Sequence, residues 1–238
     1  MDDILDLLDE VEMDKDKYSK NTVEPKKKNS EFKFICDGDI RPKKVEEIEH
    51  NFKRDKLFFA LETFGDIPDD KKDNIVKVAL FLIKNGFIFR HTGDSNNDIQ
   101  NRILEEAGNY IIHTYIPWKK FNANIENPYL FKINKDACMV ASAYNSAFNR
   151  IPTTVKSILA RNVHTVLGKE LDRPLTLLLT YTEGGDETVK KDMDFKKVGN
   201  VFFFLRLCKA ANVPVFNLYN SDAVTRLNDY IKIFKKDR

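Results

Sequence analysis

The sequence predicts an α/β fold: a Rossmann-like parallel sheet flanked by helices on both faces, with an N-terminal extension. Two observations predict it. The apolar runs Lys56–Leu61, Phe87–Phe89 and Leu175–Tyr181 carry too few polar residues to be one-sided strands, so they suit a sheet covered on both faces. Segments of helical spacing separate these runs, giving the strand-helix-strand order of parallel sheets.

The elements follow in order. Met1–Met13 places Ile4, Leu5, Leu8 and Val11 on one face of an acidic helix, and the charge-rich stretch to Ser30 is a tether with too little apolar content to fold alone. Together these read either as a docking peptide for a protein partner or as a segment that packs on its own domain or frays. Glu31–Cys36 alternates like a strand and Val45–Phe52 has helical spacing, so residues 31–55 form a strand-helix extension. The main domain, 56–220, opens with the Lys56–Leu61 strand and a helix from Asp69 to about Lys84, whose apolar face is Ile75, Val78, Ala79, Leu82 and Ile83. After the Phe87–Phe89 strand, a helix runs from Ser95 or Asn96 to Ala107, ended by Gly108, and Tyr110–Ile116 is a third strand. Helices are predicted over Lys135–Tyr144, Thr153–Leu167 (stopped by Gly168) and Val201–Ala211, with strands at Leu175–Tyr181 and Val213–Leu218. A last helix, capped by Ser221 or Asp222, fills 221–238.

The totals narrow the function. With 42% hydrophobic residues, including 18 Phe and 8 Tyr, the 238-residue chain can fill a large core. A formal net charge of +2 argues against nucleic-acid binding by bulk charge. Cys36, Cys138 and Cys208 lie far apart, without a CxxC pair or partnering histidines. That spacing predicts no metal site, no disulfide framework and a reducing compartment. No apolar run approaches the ~18 residues of a membrane span, and the N-terminus is acidic rather than signal-like. A soluble cytoplasmic protein is expected, with no cofactor implied and self-association left open.

The loop Thr92-Gly93-Asp94-Ser95 joins a buried strand to a helix N-terminus, where unpaired N–H groups and the helix dipole favour an anion. In parallel sheets ligands sit at the carboxyl ends of the strands. The loops at Thr63, Thr92 and Trp118 fall on that edge. Trp118 can stack on a base; Arg161 can reach a phosphate or the carboxylate of Asp98, or else tie its helix to the sheet. Glu183 and Asp186 are acid/base candidates, and Lys190, Lys191, Lys196 and Lys197 offer a phosphate-binding loop.

Four stretches, GFIFRHTGDSNND, YIPWKKFN, ARNVHTVLGKELDRP and GNVFFFLRLCKAANVPVFNL, taken in order, resemble the SLOG superfamily over roughly Lys56–Leu218. These Rossmann-like proteins include the lysine-decarboxylase-like phosphoribohydrolases and the DNA-processing protein A group. The branch resembled is the small YspA-like proteins of phages and bacteria, and the Asn-, Lys- and Ile-rich texture fits a phage origin, in which case the compartment is the host cytoplasm. The resemblance implies a nucleotide-derived ligand held between loops, here at Thr63, Arg90, Thr92, Gly93, Asp94 and Ser95, with Asp98, Trp118, Arg161, Gly199 and Asn200. The chain departs from the family pattern. A GSR-like first loop becomes Thr63-Phe64-Gly65, so glycine stands at the arginine position. The second loop keeps Arg90, Gly93 and Asp98 but has Thr92, Asp94 and Asn96 where small residues are usual. The third keeps Gly199 and continues Asn200-Val201-Phe202, with Phe202-Phe203-Phe204 where the family's enzymes carry a glutamate. Added bulk and the charge of Asp94 oppose an anion there. The expected function is binding, of a nucleotide-derived molecule or a protein partner, without catalysis. The alternatives are a phosphoribohydrolase-like N-glycosidase and a DNA-associated protein.

Overall fold

Every strand at the centre of this protein is buried on both faces, so its residues are apolar on both, and the sheet they form is wholly parallel. The computed structural model describes residues 35–94, 97–119, 121, 129–190 and 199–236. Six strands, β1 (Phe58–Thr63), β2 (Ile88–His91), β3 (Ile112–Ile116), β4 (Leu130–Lys132), β5 (Leu177–Tyr181) and β6 (Val215–Asn217), pair in the order β4-β3-β2-β1-β5-β6. Ala60 of β1 lies between Arg90 of β2 and Leu178 of β5. The chain therefore leaves β1 in one direction for β2 to β4 and returns to its other side for β5 and β6, which makes β1/β5 the switch point.

Helices α1 (Asp69–Lys84), α2 (Asp98–Ala107) and α6 (Ala223–Lys236) cover one face, where Ile75, Leu82, Ile103 and Leu227 meet Phe59, Phe89 and Leu179. Helices α3 (Lys135–Ala143), α4 (Thr153–Leu167) and α5 (Val201–Ala210) cover the other, where Val140, Val163, Phe204 and Leu207 meet Phe58, Ala60 and Leu178. The α/β Rossmann-like fold is thus present, with α6 part of the core rather than an appendage.

Several local expectations are corrected. The helical spacing of 45–52 gives two short 3-10 turns instead, Val45–Glu47 and Glu49–Asn51, with Val45 buried and Ile48 and Phe52 packed partly buried against the core. Ile35 and Cys36 lie in a turn, while the rest of the predicted first strand lies outside the described residues. β4 has no strand signal in the sequence: its Leu130 and Lys132 are exposed, so the run lacks the apolar signature of the others. Helix α2 starts at Asp98 with Asn97 as its cap, the Asn97 side chain accepting from the Gln100 N–H at 3.0 Å. The amphipathic stretch with Ile4, Leu5, Leu8 and Val11 lies outside the described residues.

Cys36 and Cys138 form a disulfide across 102 positions, which corrects the expectation of unpaired thiols. Sequence separation hid the pair: only packing of the segment before β1 against α3 brings the two together, where the Lys43 N–H bonds the Met139 carbonyl and the Val45 N–H the Tyr144 hydroxyl. Cys208 remains a thiol, buried within α5, and burial pushes it well above its ordinary range. Denatured, unreduced protein should therefore take up one thiol label and reduced protein three, read by intact mass; three labels without reduction would refute the bridge. Reduction should also lower the unfolding free energy, by up to about 5 kcal/mol for a loop of this length.

Candidate functional site

The carboxyl ends of β1, β2 and β3 bring Glu62, His91, Thr92 and Trp118 to one edge, and α4 brings Arg161 to it from the side. The Arg161 guanidinium is buried and donates to the Thr92 carbonyl at 3.1 Å and to Asn162 Oδ1 at 3.0 and 3.1 Å. It also lies 5.8 Å from the centre of the Phe121 ring, which packs edge-on against Trp118 at 4.9 Å. A cation thus sits beside one aromatic ring, itself packed on a second, at the edge where parallel sheets hold ligands.

The Thr92 corner is built by packing. Gly93 has φ +71° and lies so close to β3 that a Cβ would stand 3.1 Å from the Ile116 side chain and 3.2 Å from the Tyr115 carbonyl. Glycine is therefore required for this crossing, whatever binds there. The Gly93 N–H donates to His91 Nδ1 at 3.1 Å, so the neutral imidazole carries its hydrogen on Nε2. His91 is fully buried and that Nε2 has no partner among the described residues. Burial, with Arg161 nearby, pushes His91 down to about 3. Gln100, also fully buried, bridges the corner: its amide donates to the Leu61 carbonyl at 2.7 Å and its oxygen accepts from Thr92 Oγ1 at 3.2 Å.

Glu62 is the residue sequence reasoning missed. Its Oε2 is shut off from solvent and has no partner among the described residues. Burial raises its carboxyl to about 7; Arg161 pulls the other way, Asp94 adds to the rise as a like charge, and Gln100 opposes it by hydrogen bonding. A carboxyl that titrates near neutrality beside a guanidinium can hold or release a proton at a ligand. No motif marks Glu62; the signal available was a glutamate at the end of an apolar run, FFALE, where it has to sit at the sheet edge.

Several predicted site residues sit elsewhere. Arg90 points away from the Thr92 corner, donating to the Thr165 and Val166 carbonyls at 3.2 and 3.1 Å and to the Arg173 carbonyl at 2.6 Å. It closes the C-terminal end of α4. Asp98 is exposed and pairs with Lys72 of α1 at 3.1 Å, not with Arg161, since the cap geometry turns it toward α1. Gly199 packs beneath the Phe64 ring, which a Cβ would meet at 2.2 Å, so an aromatic side chain covers the approach to α5. Asn200 follows it without capping α5 through its side chain. Thr63 is half-buried in register with Tyr181, and Asp94 is half-buried. Ser95 lies outside the described residues, as do Lys191, Lys196 and Lys197; Lys190 pairs with Asp186 at 2.5 Å and Glu183 is exposed.

Compared with known proteins, the chain matches no family model, no curated protein and no solved structure. The site therefore stands on its geometry. Among the described residues no group of three or more His, Cys, Asp or Glu is placed to hold a metal, and no helix is long and apolar enough to cross a membrane.

The opposed shifts give a pH signature. Glu62 holds its proton in the folded state up to about 7 but loses it near 4.5 when unfolded, so its contribution is full below 4.5 and is lost as pH rises to 7. His91 works in reverse, resisting protonation that the unfolded chain accepts below 6.5. Substituting Glu62→Gln removes only the first effect. The stability difference, variant minus wild type, should therefore grow in favour of the variant between pH 4.5 and 7, as measured by urea unfolding across that range. A flat difference would show that Glu62 is solvated.

Proposed function

We propose that the carboxyl edge of the sheet binds a nucleotide-derived small molecule and that the protein is a divergent SLOG-like domain acting by binding. The observation that carries this reading is the Arg161–Phe121–Trp118 cluster beside the Thr92 corner: a guanidinium suited to a phosphate next to rings suited to a base. The N-terminal end of α2 adds a favourable dipole, its Ile99 and Gln100 N–H groups being taken by Asp98 and Asn97. Phe64 on Gly199 occupies the position where the family's third loop meets phosphate, which moves the ligand toward β2 and β3.

A second reading, an N-glycosidase resembling the phosphoribohydrolases, is favoured by Glu62 alone. A carboxyl poised near 7 supplies the proton transfer that glycosidic cleavage requires, from β1 rather than from the helix where the family's enzymes carry their glutamate. The reading as a DNA-associated protein rests on the lysine loop, whose one described lysine is already paired.

Trp118 is the sole tryptophan, so its fluorescence reports this edge directly. Titration with nucleoside 5′-monophosphates should change it saturably, and Arg161→Met should weaken the affinity by about 10- to 100-fold. Release of free base that vanishes in Glu62→Gln would establish the second reading. No response to any nucleotide, with no small molecule freed on denaturation, would overturn both and turn attention to a protein partner of residues 1–30.

A further inference from the structure

A separate cavity of about 390 Å³ opens between the segment preceding β1 and the loop 168–173 that follows α4. Its walls are aromatic: Phe58, His113, Tyr115 and Phe131 all line it. His113 stands at the centre of this group, 5.6 Å from Phe58, 5.2 Å from Phe131 and stacked on Tyr129 at 5.5 Å. Arg90 forms part of the floor, its guanidinium 4.0 Å over the Phe58 ring.

The charges around this cavity do not cancel. Lys53 pairs with Asp172 at 2.7 Å, Arg173 with Asp55 at 2.9 Å and Lys169 with Glu170 at 3.4 Å. Arg90 and Lys56 are left without a carboxylate partner within salt-bridge distance among the described residues. Arg90 is 1% exposed, its hydrogen bonds go to carbonyl oxygens, and its Nε has no partner among the described residues. Carbonyl dipoles stabilise a buried guanidinium but do not neutralise it, and in this dry setting its field reaches further than it would in water. His113 registers that field: burial, then Arg90 and Lys56, push its imidazole down to about 4.

We propose that this cavity is a second ligand site, for a small organic anion carrying a flat ring, such as an aryl phosphate or aryl carboxylate. The volume falls in the range of small-molecule sites, the aromatic walls take the ring, and the uncompensated charges of Lys56 at the mouth and Arg90 at the floor take the anion. The site is independent of the carboxyl-edge reading, because none of the residues that line it belongs to that edge.

The test titrates the full-length protein with phenyl phosphate and benzoate, with benzyl alcohol as the uncharged control and inorganic phosphate as the ringless one. The His113 ring resonances, followed by NMR, should shift saturably with both aryl anions. Benzyl alcohol and inorganic phosphate should each bind at least about tenfold more weakly. Trp118 fluorescence should stay constant, since it reports the other edge. Lys56→Glu, at an exposed position and so without effect on folding, should weaken both aryl anions by about tenfold. The proposal is overturned by His113 resonances that do not move, by equal affinity for either control, by indifference to Lys56→Glu, or by Trp118 fluorescence that follows the titration.

Discussion

A single buried guanidinium fixes how the two layers of this protein meet. Arg90 rises from the central part of the sheet, stacks on Phe58 and donates to three carbonyls at and beyond the end of α4. The Thr165 and Val166 carbonyls lie in the last turn of α4, which lacks intrahelical partners, and the negative end of the helix dipole favours a cation there. Gly168, with φ +86°, lets the chain turn over the guanidinium, since a Cβ would stand 3.0 Å from Arg90 Nη2. The position of α4 against the sheet follows from this contact. The direction and height of α4 in turn decide where Arg161 emerges.

The carboxyl edge inherits that placement. Arg161 anchors the Thr92 carbonyl, helps keep His91 neutral and draws Glu62 back toward its ionised form, against the burial that raises it. The two groups depart from their ordinary behaviour for the same reason, loss of water, and they separate because burial penalises charge in each: the acid stays protonated and the imidazole stays neutral. A carboxyl that keeps its proton up to about 7, a neutral imidazole whose N–H has no partner among the described residues and a fixed guanidinium meet in this corner. The Asp94 charge, which in sequence argues against an anion, here acts on Glu62 and helps keep it protonated.

The opposite side of Arg90 shows the other consequence of burying a cation without a carboxylate. The dipoles that hold it leave a positive potential in the aromatic cavity lined by Phe58, His113 and Phe131. One residue therefore closes a helix, orients a second arginine toward the carboxyl edge and charges a cavity.

The sequence by itself determined the fold. Apolar runs such as FFAL and LLLTY can be satisfied only between two layers of helices, and Asp69–Lys84 and Thr153–Leu167 are bounded in the chain as they are in the structure, because helical periodicity and a terminal glycine are local signals. The turn at Thr92-Gly93 is legible for the same local reasons, whereas the place of Arg161 beside it follows from how α4 packs on the sheet. What only the tertiary structure decided are the contacts between residues far apart in the chain: the Cys36–Cys138 bridge, the turning of Arg90 to α4 and of Asp98 to Lys72, and the covering of Gly199 by Phe64. Glu62 belongs with these. Its chemistry depends on how much water the packed loops exclude and on the charges that distant segments bring beside it, and neither quantity is written in the residues next to it.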